Sequence, residues 1–242
     1  MKQVLLEIIE NSPLCDNVYK MVLKGDVDDI TSPGQFVNIK IDGLFLRRPI
    51  SVCDCENDLL TLIYKVVGKG TEILSQLKEG KLDVLTGLGN GYDLSQCEQS
   101  ALLLGGGVGV PPLYMLAKKL IEQGKRVSVV LGFNTKSEVF YEQQFKLLGA
   151  DTYVTTVDGS YGVKGFVTDV IDDIEYDSFF TCGPEPMLKA VYKSTKTSGQ
   201  FSFEERMGCG FGACMGCSCK TITGYKRICK EGPVLKKEEI LW

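Results

Sequence analysis

Apolar and polar positions alternate in short runs over the first 97 residues, which is the pattern of half-buried β-strands. Proline, glycine and asparagine-aspartate turns separate the runs, and about six strands at this spacing predict a small antiparallel barrel. One short helix is expected over Thr71–Lys78, with Thr71 as its N-cap. The predicted strands are Val4–Ile9, Val18–Leu23, Phe36–Ile41, Ile50–Cys53, Leu59–Val67 and Leu82–Leu85.

From about residue 98 the pattern changes to apolar strands that alternate with amphipathic helices. This alternation is typical of a parallel sheet with helices on both faces. The predicted strands are Ala101–Leu104, Val127–Leu131, Thr152–Val157 and Ser178–Thr181. The predicted helices are Pro111–Gln123, Ser137–Leu148, Val167–Ile171 and Glu185–Lys196.

The last segment is rich in glycine and cysteine and follows neither pattern. The 242 residues are enough for two compact domains and an appendage. We therefore predict an antiparallel β-barrel domain over residues 1–97 and an α/β parallel-sheet nucleotide-binding domain over residues 98–198. A small C-terminal cysteine-rich domain is expected over residues 199–242.

Composition and charge exclude several classes of protein. The chain is 44% hydrophobic and 24% charged, as in ordinary globular proteins, and its net charge of -4 argues against nucleic-acid binding. The longest uncharged run, Ala101 to Ala117, is interrupted by glycines and prolines, so we expect no membrane span. The N-terminus leads directly into a strand pattern without a signal peptide, which predicts a cytoplasmic protein.

The sequence contains no histidine. This excludes Ser-His-Asp and Cys-His catalysis, histidine-ligated zinc or haem, and Rieske clusters. With no histidine for acid–base work near neutral pH, we expect the chemistry to depend on cofactors.

Four cysteines of the tail have the spacing of an iron–sulfur loop. Cys209, Cys214 and Cys217 form a C-x4-C-x2-C motif, and Cys229 follows after eleven intervening residues. This is the spacing of a plant-type [2Fe–2S] loop, whose cluster needs four thiolates. Glycines such as Gly210 allow the backbone to approach the sulfurs closely. The motif predicts a protein that moves single electrons.

A zinc site and a set of buried free thiols are the alternatives to the cluster. Zinc ribbons usually present two Cys-x2-Cys pairs, whereas this tail has one. Structural disulfides are not expected without a secretory signal. Cys219 lies two residues after Cys217 and is able in principle to replace it, but the spacing favours Cys217 and leaves Cys219 spare.

Two loops of the second half resemble nucleotide-binding turns. The glycine-rich run 105–109 joins the first strand to the first helix, where small residues and free N–H groups suit a phosphate. The second loop contains Cys182 at the end of the last strand, where ligands of such sheets bind, so Cys182 is a candidate to line a nicotinamide site. Close packing and a buried cysteine are the simpler explanations of each loop taken alone.

The barrel half carries an arginine pair, Arg47 and Arg48, followed closely by Ser51. Arginine suits a pyrophosphate because its N–H groups make paired contacts. A second potential phosphate turn, with Gly70 and Thr71, precedes the short helix. An arginine pair at a strand end is, by itself, more often solvated.

The order of these motifs resembles the ferredoxin–NADP reductase superfamily. Arg-x-x-Ser, Gly-Thr before a helix, Gly-Gly-Gly-x-Gly and Cys-Gly-Pro-x-x-Met follow one another along the chain. The tail, from Glu204-Glu205-Arg206-Met207-Gly208-Cys209 to Cys229-Lys230-Glu231-Gly232-Pro233-Val234, is similar to that of class 1B dihydroorotate dehydrogenase electron-transfer subunits. The resemblance covers nearly the whole chain, with a short spacer before Cys229 and the extra Cys219 as departures.

The resemblance implies three cofactors, namely FAD in the barrel domain, NAD in the α/β domain and a [2Fe–2S] cluster in the tail. It also implies a catalytic partner, an FMN-containing dihydroorotate dehydrogenase subunit, in a heterotetramer that serves pyrimidine biosynthesis. Electrons from the partner would reach NAD+ through the cluster and FAD, because a flavin handles both single electrons and hydride. The alternatives are a similar subunit of a hydrogenase or an NADH-dependent ferredoxin oxidoreductase, and a zinc-stabilised interaction module.

The same resemblance implies site residues. Arg48 is expected on the FAD pyrophosphate, and Ser51 and Cys182 are expected at the catalytic centre, near the isoalloxazine and the nicotinamide. The flavin-contacting residues are Arg48, Pro49, Ile50, Ser51, Ile63, Tyr64, Lys65, Gly70 and Thr71. The NAD-contacting residues are Gly105, Gly106, Gly107, Gly109, Cys182, Gly183 and Pro184. The cluster ligands are Cys209, Cys214, Cys217 and Cys229.

Overall fold

The computed structural model describes residues 1–242. Its first half is a closed six-stranded antiparallel barrel with the spatial order β1-β2-β5-β4-β3-β6, so the predicted barrel is confirmed. Buried residues alternate with more exposed ones along the strand Lys81–Leu88, as the sequence pattern requires. The strands are β1 (Lys2–Cys15), β2 (Val18–Lys24), β3 (Phe36–Ile39), β4 (Arg48–Glu56), β5 (Leu59–Lys65) and β6 (Lys81–Leu88).

The first strand is longer than its apolar pattern indicates. It continues to Cys15 because its second half pairs with β2, and the polar Asn11 within it is buried with hydrogen-bond partners. The Asn11 side-chain amide donates to the carbonyl oxygens of Leu74 and Leu77, at 2.8 Å each. The first helix is thereby attached to the barrel at its C-terminal end.

The first helix, α1 (Lys69–Gln76), begins before the predicted residue. The prediction that Thr71 is the N-cap is wrong, because Gly68 holds that position and Thr71 lies three residues into the helix. The Thr71 hydroxyl nevertheless accepts a hydrogen bond from the backbone N–H of Val67 at 3.0 Å. It therefore satisfies a donor of the helix start from within the first turn.

The second half is a seven-stranded sheet with the order β10-β9-β8-β7-β11-β12-β15, parallel except between its last two strands. The predicted parallel sheet with its helices is confirmed. The strands are β7 (Ser100–Gly106), β8 (Arg126–Phe133), β9 (Asp151–Thr156), β10 (Val163–Lys164), β11 (Ser178–Cys182), β12 (Gly199–Ser202) and β15 (Val234–Lys236). The α-helices are α2 (Pro112–Glu122), α3 (Glu142–Leu148) and α4 (Glu185–Ser194), and Val167–Asp173 forms a 3₁₀-helix.

The helix predicted over residues 137–148 is broken in the structure. A 3₁₀ turn at Lys136–Glu138 is followed by Tyr141 in the left-handed conformation, with a φ of 66°, immediately before α3. Phe140 and Tyr141 are both buried, and they pack edge-on against Phe133 and Tyr114 with ring centroids 5.2 Å apart in each case. Consecutive residues of a continuous helix do not share a face, so burying both rings breaks the helix.

The tail contains strands that the sequence pattern does not indicate. The strands β12 and β15 extend the second sheet, and β13 (Ser218–Thr221) and β14 (Gly224–Arg227) form a hairpin. The domain boundaries at residues 98 and 199 stay predictions. None of the helices combines the length and the hydrophobicity that crossing a membrane requires.

The barrel and the parallel sheet share buried apolar residues. One hydrophobic cluster contains the barrel residues Cys53 and Ile63 together with Leu113 of α2 and Phe145 of α3. Met115 of α2 packs in turn with the barrel core. The helix α2 therefore lies between the two halves and fixes how they meet.

Candidate functional site

A cleft of about 1400 Å³ lies between the barrel and the carboxyl ends of the parallel strands. The structure brings the two predicted groups of cofactor-contacting residues together in its lining, with Gly105 as the exception. From the barrel the cleft is lined by Arg48, Pro49, Ile50, Ser51, Ile63, Tyr64, Lys65, Gly70 and Thr71. From the sheet it is lined by Gly106, Gly107, Gly109, Cys182, Gly183 and Pro184.

The two adjacent arginines have different surroundings. Arg47 forms an ion pair with Asp83 of β6 at 2.9 Å and donates to the carbonyl oxygens of Asn38 and Asp83, so it is part of the barrel wall. Arg48 donates to the carbonyl oxygen of Leu46 and has no carboxylate partner. Its guanidinium lies across Gly70, where an added Cβ would be 2.0 Å from Arg48 Nε. Both arginines line the cleft, and Arg48 is the one whose guanidinium has no carboxylate partner and is open to an anion.

The barrel strand β5 contributes Tyr64 to the cleft, but the hydroxyl group of this residue already has a hydrogen-bond partner. Tyr64 is 2% exposed, and its hydroxyl donates to Asn11 Oδ1 at 2.9 Å. Burial raises the pKa of Tyr64 to about 12. The neighbouring Ser51 of β4 lies opposite Phe36 of β3 and lines the cleft. Of the two hydroxyl groups, only that of Ser51 is therefore open to a ligand.

The glycines of the first nucleotide loop allow two loops to touch. A Cβ on Gly109 would be 2.2 Å from the Cys182 carbonyl oxygen, and a Cβ on Gly106 would be 2.5 Å from Met187 Sδ. Gly107 has a φ of 53° and nothing within 4 Å of its added Cβ, so its backbone is open to a ligand. Gly105 packs instead against Val110 below the cleft. Two glycines of the motif thus allow close packing of the loops, and Gly107 leaves the backbone accessible to a ligand.

Cys182 lies at the contact between these loops. Burial raises the pKa of its thiol to about 12, although the Ser202 hydroxyl lowers it in part. The Tyr92 hydroxyl donates at 3.1 Å to the carbonyl oxygen of Thr181, directly before Cys182. The side chain is therefore a neutral thiol at physiological pH, which suits a lining role and not that of a thiolate nucleophile.

The four predicted cluster ligands form two pairs. The backbone N–H of Ala213 donates to Cys209 Sγ at 3.2 Å, and that of Cys214 donates to the same sulfur at 3.4 Å. The N–H of Cys229 donates to Cys217 Sγ at 3.4 Å. No group of three or more Cys, Asp or Glu side chains is placed to hold a single metal ion. Two cysteine pairs with amide donors aimed at the sulfurs fit a [2Fe–2S] cluster, with one pair for each iron.

The two pairs differ in their electrostatics. Burial acts to raise the pKa of Cys209, but the N–H groups of Phe211, Cys214 and Ala213 outweigh it and lower the pKa to about 6. Burial and the side-chain hydrogen bond with Cys217 raise the pKa of Cys229 to about 12. Cys209 therefore ionises readily, whereas Cys229 keeps its proton until a bound metal ion displaces it.

Cys219 belongs to neither pair. It lies in β13 opposite Lys226, and its partly buried side chain packs against the apolar cluster that contains Cys217 and Cys229. Burial raises the pKa of Cys219. This position is compatible with the interpretation of Cys219 as spare.

Sequence reasoning missed the residues that brace the cluster loop. Arg227 Nη1 donates to the carbonyl oxygen of Gly212 at 2.7 Å, and Arg227 Nε donates to Glu231 Oε2 at 2.9 Å. Arg227 in turn lowers the pKa of Glu231 to about 2. The two residues are four apart and flank Cys229, a spacing that marks an ion pair within one turn of chain.

The cleft also has walls outside the predicted site residues. Most of them come from the end of β8, from the start of the 3₁₀-helix and from the segment that follows β12. Glu204–Met207 belong to the tail motif, but only the fold places them and the other segments at the cleft. The additional lining residues include Phe45, Arg47, Lys69, Phe133, Asn134, Glu138, Thr155, Phe166, Val167, Thr168, Phe203, Glu204, Glu205, Arg206 and Met207.

A barrel that faces a parallel nucleotide-binding sheet across a cleft, with paired cysteines in the tail, defines a reductase of the ferredoxin–NADP reductase type with an iron–sulfur module. Residues 103–193 match the oxidoreductase NAD-binding domain family. Residues 204–241 match the iron-sulfur cluster binding domain of dihydroorotate dehydrogenase B.

Relatives agree over the full length. The electron transfer subunit of dihydroorotate dehydrogenase B (NAD(+)) of Bacillus pumilus is 49% identical over 99% of this chain and 98% of its own. That of Fusobacterium nucleatum is 47% identical over 96% of this chain and 95% of its own. The chain belongs to the family of dihydroorotate dehydrogenase B electron transfer subunits.

Solved structures share the fold. A chain of the NADH-dependent reduced ferredoxin-NADP oxidoreductase superposes with a TM-score of 0.90 at 33% identity, covering 99% of this chain and 90% of that one. A ferredoxin NADP+ reductase from Neisseria gonorrhoeae, with bound FAD and NADP, superposes with a TM-score of 0.69 at 15% identity over 80% of this chain and 90% of that one. The second likeness shows the fold alone.

Proposed function

We propose that this chain is the electron-transfer subunit of a dihydroorotate dehydrogenase B and passes electrons from an FMN-containing catalytic partner to NAD+. The observation that carries the proposal is that one chain combines two cysteine pairs, whose sulfurs accept hydrogen bonds from backbone N–H groups, with a nucleotide cleft. A bound cluster supplies one-electron chemistry, a bound flavin links it to hydride transfer, and NAD+ is the hydride acceptor. The partner assembly is a heterotetramer.

FAD would be held by the barrel side of the cleft. Arg48 supplies a guanidinium without a carboxylate partner, and Gly70 leaves room for it because no Cβ intervenes. Ser51 offers a hydroxyl where β4 lines the cleft. Together they provide a charge-assisted contact for a pyrophosphate and a hydrogen-bonding group for a flavin ring.

NAD would be held by the sheet side. The backbone at Gly107 is open to phosphate oxygens and lies at the N-terminal, positive end of α2, whose first residues Pro111 and Pro112 have no N–H of their own. Cys182 lines the cleft as a neutral thiol. No thiolate is therefore present there to attack the positively charged nicotinamide ring of NAD+. These residues orient the nucleotide and exclude water from its reactive end.

The partner would dock on the tail. Cys214 is exposed, and the neighbouring Phe211 and Met215 are 43% and 54% exposed. Exposed apolar side chains around an electron-carrying loop are typical of a protein–protein contact surface. The proposed location of the complex is the cytoplasm.

The decisive experiment is co-expression with an FMN-containing dihydroorotate dehydrogenase catalytic subunit, followed by an assay of dihydroorotate-dependent NAD+ reduction. We expect NADH formation by the complex and none by the catalytic subunit alone. Failure of the two chains to associate, with FAD and cluster present, would reject the assignment of the partner.

A second candidate function rests on the likeness to the NADH-dependent reduced ferredoxin-NADP oxidoreductase chain. That chain is 33% identical, compared with 49% for the Bacillus pumilus subunit. A subunit of this second kind would exchange electrons with reduced ferredoxin in the presence of its own partner. Ferredoxin-dependent NAD+ reduction without any response to dihydroorotate would favour it.

A further inference from the structure

Asn38 of β3 connects the barrel to the cluster loop. Its side-chain Nδ2 donates to the carbonyl oxygen of the predicted cluster ligand Cys209 at 3.2 Å, across 171 positions of sequence. The contact is close, because a Cβ on Gly210 would be 2.4 Å from Asn38 Nδ2. Asn38 is 1% exposed, so this hydrogen bond is shielded from water.

The other side of Asn38 leads to the cleft. In the β3–β4 ladder Asn38 is paired with Pro49, and Phe36 is paired with Ser51. The backbone oxygen of Asn38 also accepts from Arg47 at 3.3 Å. The strand that holds the cluster loop is therefore hydrogen-bonded directly to the strand whose residues line the cleft.

The outward face of β3 is covered by the tail. Val37 and Ile39 point into the barrel core, whereas Phe36 packs in the cluster that contains Cys217 and Cys229. Alternation places Asn38 on the same face as Phe36. The Asn38 Oδ1 is buried without a hydrogen-bond partner, so the Nδ2 contact to the loop is the side-chain hydrogen bond that this amide makes.

We propose that Asn38 is a positioning residue that fixes the cluster loop against β3 and thereby sets the spacing between the iron–sulfur cluster and the flavin. The inference rests on the proposed function. In each transfer one electron moves between the flavin and one iron, so that one is oxidised as the other is reduced and no bond forms or breaks. Asn38 is hydrogen-bonded to the backbone of Cys209 and to none of the four predicted ligand sulfurs, so it acts through the backbone of the loop.

The test uses the holoprotein with FAD and cluster, mixed anaerobically with NADH in a stopped-flow instrument. Flavin and cluster absorbance separate hydride transfer from the subsequent electron transfer. We expect Asn38→Leu to slow cluster reduction about tenfold or more, because small misplacements have effects of this size. Flavin reduction by NADH and iron content should stay unchanged, while amides of residues 209–214 exchange hydrogen faster.

The matched control is Thr86→Val. Thr86 is fully buried in β6, next to β3, and donates to the Lys2 carbonyl oxygen, so its loss also removes a buried hydrogen bond from the barrel. Equal cluster reduction rates in the two variants would overturn the proposal, and so would loss of the cluster from Asn38→Leu. A wild-type protein without FAD or cluster would instead refute the proposed function.

A double-mutant cycle provides a second test. Gly210→Ala introduces a Cβ that collides with Asn38 Nδ2, whereas Asn38 Cβ lies 3.9 Å away. In the Asn38→Ala background the collision is gone, and the strain at the Gly210 φ of +80° is common to both backgrounds and cancels. We expect Gly210→Ala to slow cluster reduction strongly in the wild type and little in that background. Additive effects would show that Asn38 does not position the loop.

Discussion

The cluster loop and the cleft are built in opposite ways. The cluster loop collects its cysteines within residues 209–229, and N–H groups of the same segment point at their sulfurs. The cleft collects its lining from strands of both halves, separated by more than a hundred residues. A site made from one segment depends on each ligand, whereas a distributed site shares its binding energy among many contacts.

The largest effect should come from the cluster loop. Cys217→Ser is expected to abolish the [2Fe–2S] cluster, because Cys217 is buried, is paired with Cys229, and serine is a poor substitute for a thiolate on iron. NADH should still reduce FAD in this variant, because the cleft is intact. Iron, sulfide and the visible spectrum report the result.

The control for this variant is Cys219→Ser, two residues away and outside both pairs, which should keep the cluster. The opposite result, with Cys219 essential and Cys217 dispensable, would show that the loop wraps the cluster in another register.

The spacing of the cysteines was sufficient to predict an iron–sulfur domain, because the cysteines lie in one local segment. The barrel and parallel sheet were also predictable, since their burial patterns are periodic. Without the family resemblance, the sequence could not distinguish Arg47 from Arg48, because only the fold places Asp83 beside Arg47. The break at Tyr141 and the sheet strands of the tail depend equally on partners that are distant in sequence.

The difference in pKa between Cys209 and Cys229 predicts a difference in their reactivity in the metal-free protein. At pH 7 Cys209, with a pKa of about 6, should be mainly thiolate and react with iodoacetamide, whereas Cys229, with a pKa of about 12, should be protected. Reaction at Cys209 should fall as the pH is lowered through about 6. Peptide mass spectrometry measures both sites, and equal labelling would contradict the asymmetry.

A smaller effect is expected at the cleft. Arg48→Ala removes a charge-assisted contact and should weaken FAD binding by about 1.5–3 kcal/mol, while the cluster spectrum stays. Arg47→Ala is the matched control, because it breaks the ion pair with Asp83 and should lower the melting temperature without releasing FAD. FAD titration of the deflavinated proteins measures both. If only Arg47→Ala weakened FAD binding, the assignment of the two arginines would be reversed.

The smallest effect on cofactor binding is expected at a contact between the barrel and the C-terminal segment, where Asn90 is hydrogen-bonded to Val234. The Asn90 side chain, in the loop after β6, donates to the Val234 carbonyl oxygen at 2.7 Å and accepts from the Val234 N–H at 3.1 Å. Asn90→Ala should destabilise the protein by about 1–3 kcal/mol, because two backbone groups lose their partner. Thermal unfolding should show a lower midpoint, while FAD and iron content stay at wild-type levels. Loss of the cluster from this variant would mean that the loop is not self-contained and depends on the junction for its shape.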